Sequence, residues 1–64
     1  MPKSVRVMIK YLQQNGFVEV RQNGSHKQFK NYRTGKSVVV PYYTGGKELG
    51  TGLERAILKQ AGLD

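Results

Sequence analysis

The dipeptide Asn23-Gly24 constrains this chain more than any other feature, because it directly follows a segment that alternates as a strand does. In Phe17-Val18-Glu19-Val20-Arg21-Gln22, Val18 and Val20 fall on one face and Glu19 and Arg21 on the other, the pattern of a half-buried strand. Asn and Gly both tolerate the positive φ that a type I′ turn demands, so a hairpin is predicted, with its second strand starting near Ser25 or His26. Period-two geometry then groups His26, Gln28 and Lys30 on one face of that strand and Lys27 and Phe29 on the other. With Phe29 in the core, His26 looks out to solvent.

The segments flanking the hairpin complete a small α+β pattern. Between Ser4 and Asn15, Val5, Met8, Ile9 and Leu12 recur at i, i+3, i+4 and i+7, which is one stripe of an amphipathic helix with Ser4 as N-cap and Gly16 just past its end. Tyr32-Arg33-Thr34-Gly35-Lys36 reads as the next turn, and Ser37-Val38-Val39-Val40 as a third strand ended by Pro41, which has no N–H to give a ladder. A polar, glycine-rich loop follows from Tyr42 to Gly50. Its Gly45-Gly46-Lys47 does not make a P-loop, since Pro41 stands where that motif wants its first glycine and Glu48 where it wants Ser or Thr. Thr51-Gly52-Leu53-Glu54 is a capping box, and a helix from there to about Ala61 would bury Leu53, Ala56, Ile57 and Ala61 before Gly62 stops it. The predicted order is α-β-β-β-α, a three-stranded antiparallel sheet with both helices on one face, the simplest way to bury both stripes. His26 would then stand on the open face.

Length allows one domain over residues 1–64, and a domain this short removes only roughly 60% of its unfolded surface from water. A composition of 38% hydrophobic and 23% charged residues reads as globular. Without cysteine there is no disulfide or thiolate site, and one histidine with Glu19, Glu48, Glu54 and Asp64 does not assemble a usual metal cage, so neither metal nor cofactor is expected. Eleven Lys and Arg against four acids give +7 and a pI near 10.1, which calls for an anionic partner, either nucleic acid or an acidic protein. No apolar run approaches the ~20 residues of a membrane span and Met1 to Lys10 lacks a signal peptide's apolar region, so a cytoplasmic location is expected. The glycosylation pattern Asn23-Gly24-Ser25 is better explained as a turn.

The element order on a short basic chain resembles the double-stranded-RNA-binding domain. Particular motifs narrow this further: Gly16-Phe17 after the first helix, Arg21 before the turn, Gly24-Ser25-His26 with Phe29, Val38-Val39-Val40-Pro41, Lys47-Glu48-Leu49-Gly50-Thr51, and Ile57 through Gly62. Together, over nearly the whole chain, they resemble the HicA toxins of bacterial and archaeal toxin–antitoxin pairs. The resemblance implies an mRNA interferase, an endoribonuclease held inactive in a hetero-oligomer with a HicB-type antitoxin, and it implies that His26 is the catalytic residue. Many members carry a second histidine directly after the first; here Lys27 takes that place, and Tyr42-Tyr43 follow the proline where a histidine is often found. A two-histidine acid–base pair within one chain is therefore not available.

RNA cleavage by its own 2′-OH needs a base, a proton for the leaving oxygen, and stabilisation of the phosphorane charge. Imidazole titrates near neutral pH and serves as either acid or base. Arg21, Lys27 and Lys30 supply cations close in sequence, Ser25 and the turn amides can hold a phosphate oxygen, and Lys47 is a further expected RNA contact without a catalytic part. Tyr42, with Tyr32 and Tyr43, fits base stacking and strand-end packing equally. Two function classes remain: a metal-independent ribonuclease acting through His26, and a non-catalytic RNA-binding module using the same basic surface.

Overall fold

The computed structural model describes residues 3–42 and 49–63, and its elements run α1 (Val5–Gln14), β1 (Val18–Asn23), β2 (His26–Lys30), β3 (Ser37–Pro41) and α2 (Thr51–Ala61). The sheet is an antiparallel meander in the order β1-β2-β3, as the α-β-β-β-α reading predicts. Lys47 and most of the Tyr42–Gly50 loop lie outside the described residues.

α1 starts where the Ser4 hydroxyl accepts the Val7 N–H, and it ends where the Gly16 N–H reaches the Gln13 carbonyl and the Phe17 N–H the Leu12 carbonyl. This double bond pattern needs a left-handed residue between the two, and Gly16 supplies it at φ 92°. α2 closes the same way around Gly62, with Leu63 bonded back to Leu58. Val5, Met8 and Leu12 of α1 and Ile57 and Ala61 of α2 meet Phe29, Val38 and Val40 in a single core, joined by Phe17 and Leu49. Phe29 is buried while His26 and Gln28 are exposed, and Val38 and Val40 are buried while Val39 is not. The alternation therefore turns one sheet face to the helices and the other to solvent.

One buried polar side chain ties the frame together. Asn31 donates from Nδ2 to the Asn15 carbonyl at the exit of α1, and its Oδ1 accepts from the Arg33 and Thr34 amides in the β2–β3 turn. Every polar atom that this residue buries has a partner, so its burial carries no unpaired-group penalty.

Four expectations need correction. Val18 and Val20 are not half-buried: all six residues of β1 are exposed, because Val18 opposes Lys30 on the solvent face and the helices pack over β3 rather than β1. The hairpin loop is Gly24-Ser25 rather than Asn23-Gly24, since Asn23 pairs with His26 and only Gly24 has positive φ. That arrangement suits a type II′ turn, whose first central residue is the glycine. Leu53 and Ala56 are exposed, and Leu58 is the half-buried neighbour of Ile57 instead, because α2 leans on β3 through its C-terminal half. Finally, the capping box does not form: Gly50 is the N-cap without a side-chain bond, and Glu54 takes the Lys3 backbone N–H at 3.2 Å and its Nζ at 3.3 Å. A cationic partner far away in sequence outcompetes the exposed helix-end amide for the carboxylate.

Candidate nucleic-acid interface

His26 is the first residue of β2, directly after the Gly24-Ser25 turn, and is paired laterally with Asn23 on β1 and Pro41 on β3. The turn is itself anchored, because the Ser25 carbonyl accepts the Tyr42 N–H just past β3. The imidazole is thus carried by a three-strand platform rather than by a free loop. With Arg21, Asn23, Gln28 and Val39 it lines an open depression of about 290 Å³ on the solvent face of the sheet.

The cations near the turn in sequence separate in space. Arg21 pairs with Gln28 and joins His26 in the depression. Lys27 lies on the opposite face, where its Nζ is 3.0 Å from Glu19 Oε1 and 3.2 Å from Gln22 Oε1, and 4.8 Å from the centre of the Tyr42 ring. Tyr42 is therefore a partner of Lys27, not of His26. Lys30 sits at the far end of β2, between Val18 and Ser37, with its Nζ 5.2 Å from the centre of the Tyr32 ring. Ser25 is half-buried in the turn.

Both described carboxylates are engaged elsewhere, Glu19 with Lys27 and Glu54 with Lys3. Such surface pairs add little stability, but they decide where negative charge is. Among the described residues, none lining the depression is acidic. A concavity holding one imidazole and one guanidinium is suited to a phosphodiester.

Sequence reasoning placed Gln28 on the face of His26 but missed Asn23 and Val39 as its neighbours. Gln28 follows from period two once His26 is the reference, and Val39 follows from the β2–β3 register, in which it opposes Gln28. Val39 stays 45% exposed and gives the depression an apolar floor.

No helix among the described residues is long and apolar enough to cross a membrane. No curated protein matches the sequence. The family model described as "HicA toxin of bacterial toxin-antitoxin" matches residues 5–63, from the first residue of α1 to the residue after Gly62. That span contains both helices, the whole sheet and every residue of the depression, and the chain belongs to the HicA toxin family of bacterial toxin–antitoxin systems.

Proposed function

We propose that this toxin is an endoribonuclease of the mRNA interferase type, with His26 as its catalytic residue. The observation that carries the reading is the position of the only imidazole: exposed, held by two neighbouring strands, and beside Arg21 in a depression that, among the described residues, is lined by no acid. RNA lies across the open face, with phosphates met by Arg21 and Lys30 and by the turn at Ser25. Lys47, which lies outside the described residues, is a further proposed RNA contact. Lys27, engaged with Glu19 and with the Tyr42 ring, stays on the opposite face.

In the reaction the 2′-oxygen forms a bond to phosphorus and the bond from phosphorus to the 5′-oxygen breaks. The 2′ proton leaves to a base and a proton arrives on the 5′-oxygen, so the products are a 2′,3′-cyclic phosphate and a 5′-hydroxyl. His26 performs one of these transfers, and water or another side chain performs the other, because the chain has no second imidazole. One histidine and no cysteine leave the chemistry to the chain's own acid–base groups. Cleavage by the purified chain is expected to persist in EDTA, to yield the cyclic phosphate, and to fail on RNA carrying a 2′-deoxy residue at the cut. Loss of activity on chelation, restored by a divalent cation, would reject this chemistry.

The partner is a HicB-type antitoxin that covers the same depression with acidic groups. The basic composition and the absence of acid from the lining of the depression among the described residues support this complementarity. Diethyl pyrocarbonate should modify His26 in the free toxin and be blocked from it in the complex. Equal reactivity in both states would show that inhibition works at a distance instead.

A further inference from the structure

An irregularity in β1 decides which charges surround His26. Pairing proceeds from Val18 with Lys30 and Glu19 with Phe29, then skips: Arg21 opposes Gln28, Gln22 opposes Lys27, and Asn23 opposes His26. Val20 is the extra residue of a β-bulge. In an unbroken ladder continuing from Glu19, Val20 would oppose Gln28 and Arg21 would oppose Lys27. Arg21 would then share the helix-side face with Glu19, two residues away, as plain alternation requires. The bulge reverses this for every residue after it.

Two results follow. Arg21 arrives on the face of Gln28 and His26, and lines the depression with them. Glu19 stays on the other face, where Lys27 pairs with it at 3.0 Å. The bulge thereby parts Arg21 from a carboxylate that would otherwise neutralise it, while Glu19 and Lys27 keep to the helix side in either register.

Resting on the ribonuclease reading, we propose that Arg21 is a second catalytic residue of this site, binding the non-bridging oxygens of the scissile phosphate, and that the Val20 bulge is what positions it. A guanidinium is always charged and presents a planar fork that matches two phosphate oxygens. The phosphorane carries one more negative charge than the diester it forms from, so a fixed cation at those oxygens stabilises the transition state more than the ground state. His26 moves a proton; Arg21 holds the charge that the proton transfer leaves on phosphorus.

The test compares single-turnover cleavage at saturating protein for the wild type, Arg21→Gln, Arg21→Ala, and the double variant Arg21→Gln with Gln22→Arg. The double variant keeps the net charge and moves the guanidinium one residue along β1, onto the Lys27 face. Arg21→Gln and the double variant are both expected to lose about 10²- to 10³-fold in the rate constant, the range for removing one oxyanion-stabilising group. RNA affinity should change only a few-fold in the double variant, because phosphate binding is spread over many cations. Guanidinium ion in the buffer should restore part of the rate to Arg21→Ala and none to His26→Ala, a rescue that a merely structural role would not show. Arg55→Gln, a cation on exposed α2 away from the depression, should keep the wild-type rate constant. All of these positions are exposed, so no core cavity opens. Arg21→Ala at the wild-type rate beside an inactive His26→Ala would overturn the proposal and leave the ribonuclease reading standing. A fully active double variant would also overturn it, since the face would then not matter. Wild-type protein that cleaves no RNA would overturn both.

Discussion

Substituting His26→Ala should abolish RNA cleavage and growth arrest while the fold and most of the RNA affinity persist. The imidazole is exposed at the start of β2, and its β-carbon remains in the variant, so the ladder to Asn23 and Pro41 is kept and no buried volume is lost. Affinity rests on many Lys and Arg side chains, to which one imidazole adds little. Catalysis has no second histidine to substitute, and removing a positioned acid or base typically slows a reaction about 10²- to 10⁴-fold. The measurements are a cleavage time course, a thermal melt and an RNA titration on the same preparations. A folded variant cleaving at the wild-type rate would shift the reading to a non-catalytic RNA-binding module.

The converse is expected three residues along the same strand, where Phe29→Ala should remove a large part of the chain's stability. Phe29 is completely buried and lies between Glu19 on β1 and Val38 on β3, at the centre of the core that both helices share. Truncating a buried Phe costs about 3–5 kcal/mol through lost transfer energy and the cavity left behind. At roughly 0.05–0.15 kcal/mol per residue, a chain of this length has only about 3–10 kcal/mol in total. Val18→Ala, on the exposed edge strand, should change stability by less than about 0.5 kcal/mol. Urea titrations followed by circular dichroism distinguish these outcomes. If Phe29→Ala stays folded and His26→Ala does not, the faces of β2 have been assigned the wrong way round.

That pair of faces was legible in the sequence because local rules suffice for it. Once Phe29 is core, period two sends His26 outward whatever the register of the neighbouring strand. The α1 stripe, the glycine stops at Gly16 and Gly62, and the alternation of Val38, Val39 and Val40 are equally local, and each agrees with the structure. Where two distant segments compete, local rules fail. Glu54 has the right spacing for a capping box, but Lys3 lies 51 positions earlier and no pattern around Thr51 announces it. Leu53 has the right periodicity for burial, but whether a helix buries its first turn depends on where the small core ends.

The site divides along the same line. Gln28 beside His26 is arithmetic; Arg21 beside His26 depends on a bulge that leaves no mark in composition. Strict alternation from Val18 pairs Arg21 with Glu19, and the hairpin register then hangs on whether the loop is Asn23-Gly24 or Gly24-Ser25. That choice is settled by tertiary burial of Phe29 and by the anchoring of Ser25 to Tyr42, both non-local.

The Val20 bulge has one more effect, on self-association. As an edge strand, β1 has one side of its backbone unpaired within the sheet, and its six side chains are all exposed, including Val18 and Val20. A flat edge of that kind is a template on which a second copy can add its own strand and begin an aggregate. The extra residue kinks and twists the strand midway, and Glu19 and Arg21 put charge on either side of the kink, so a straight incoming strand can match only half of the edge at a time. The irregularity that sorts charges around His26 thus also protects the chain from growing into fibres through its most exposed strand.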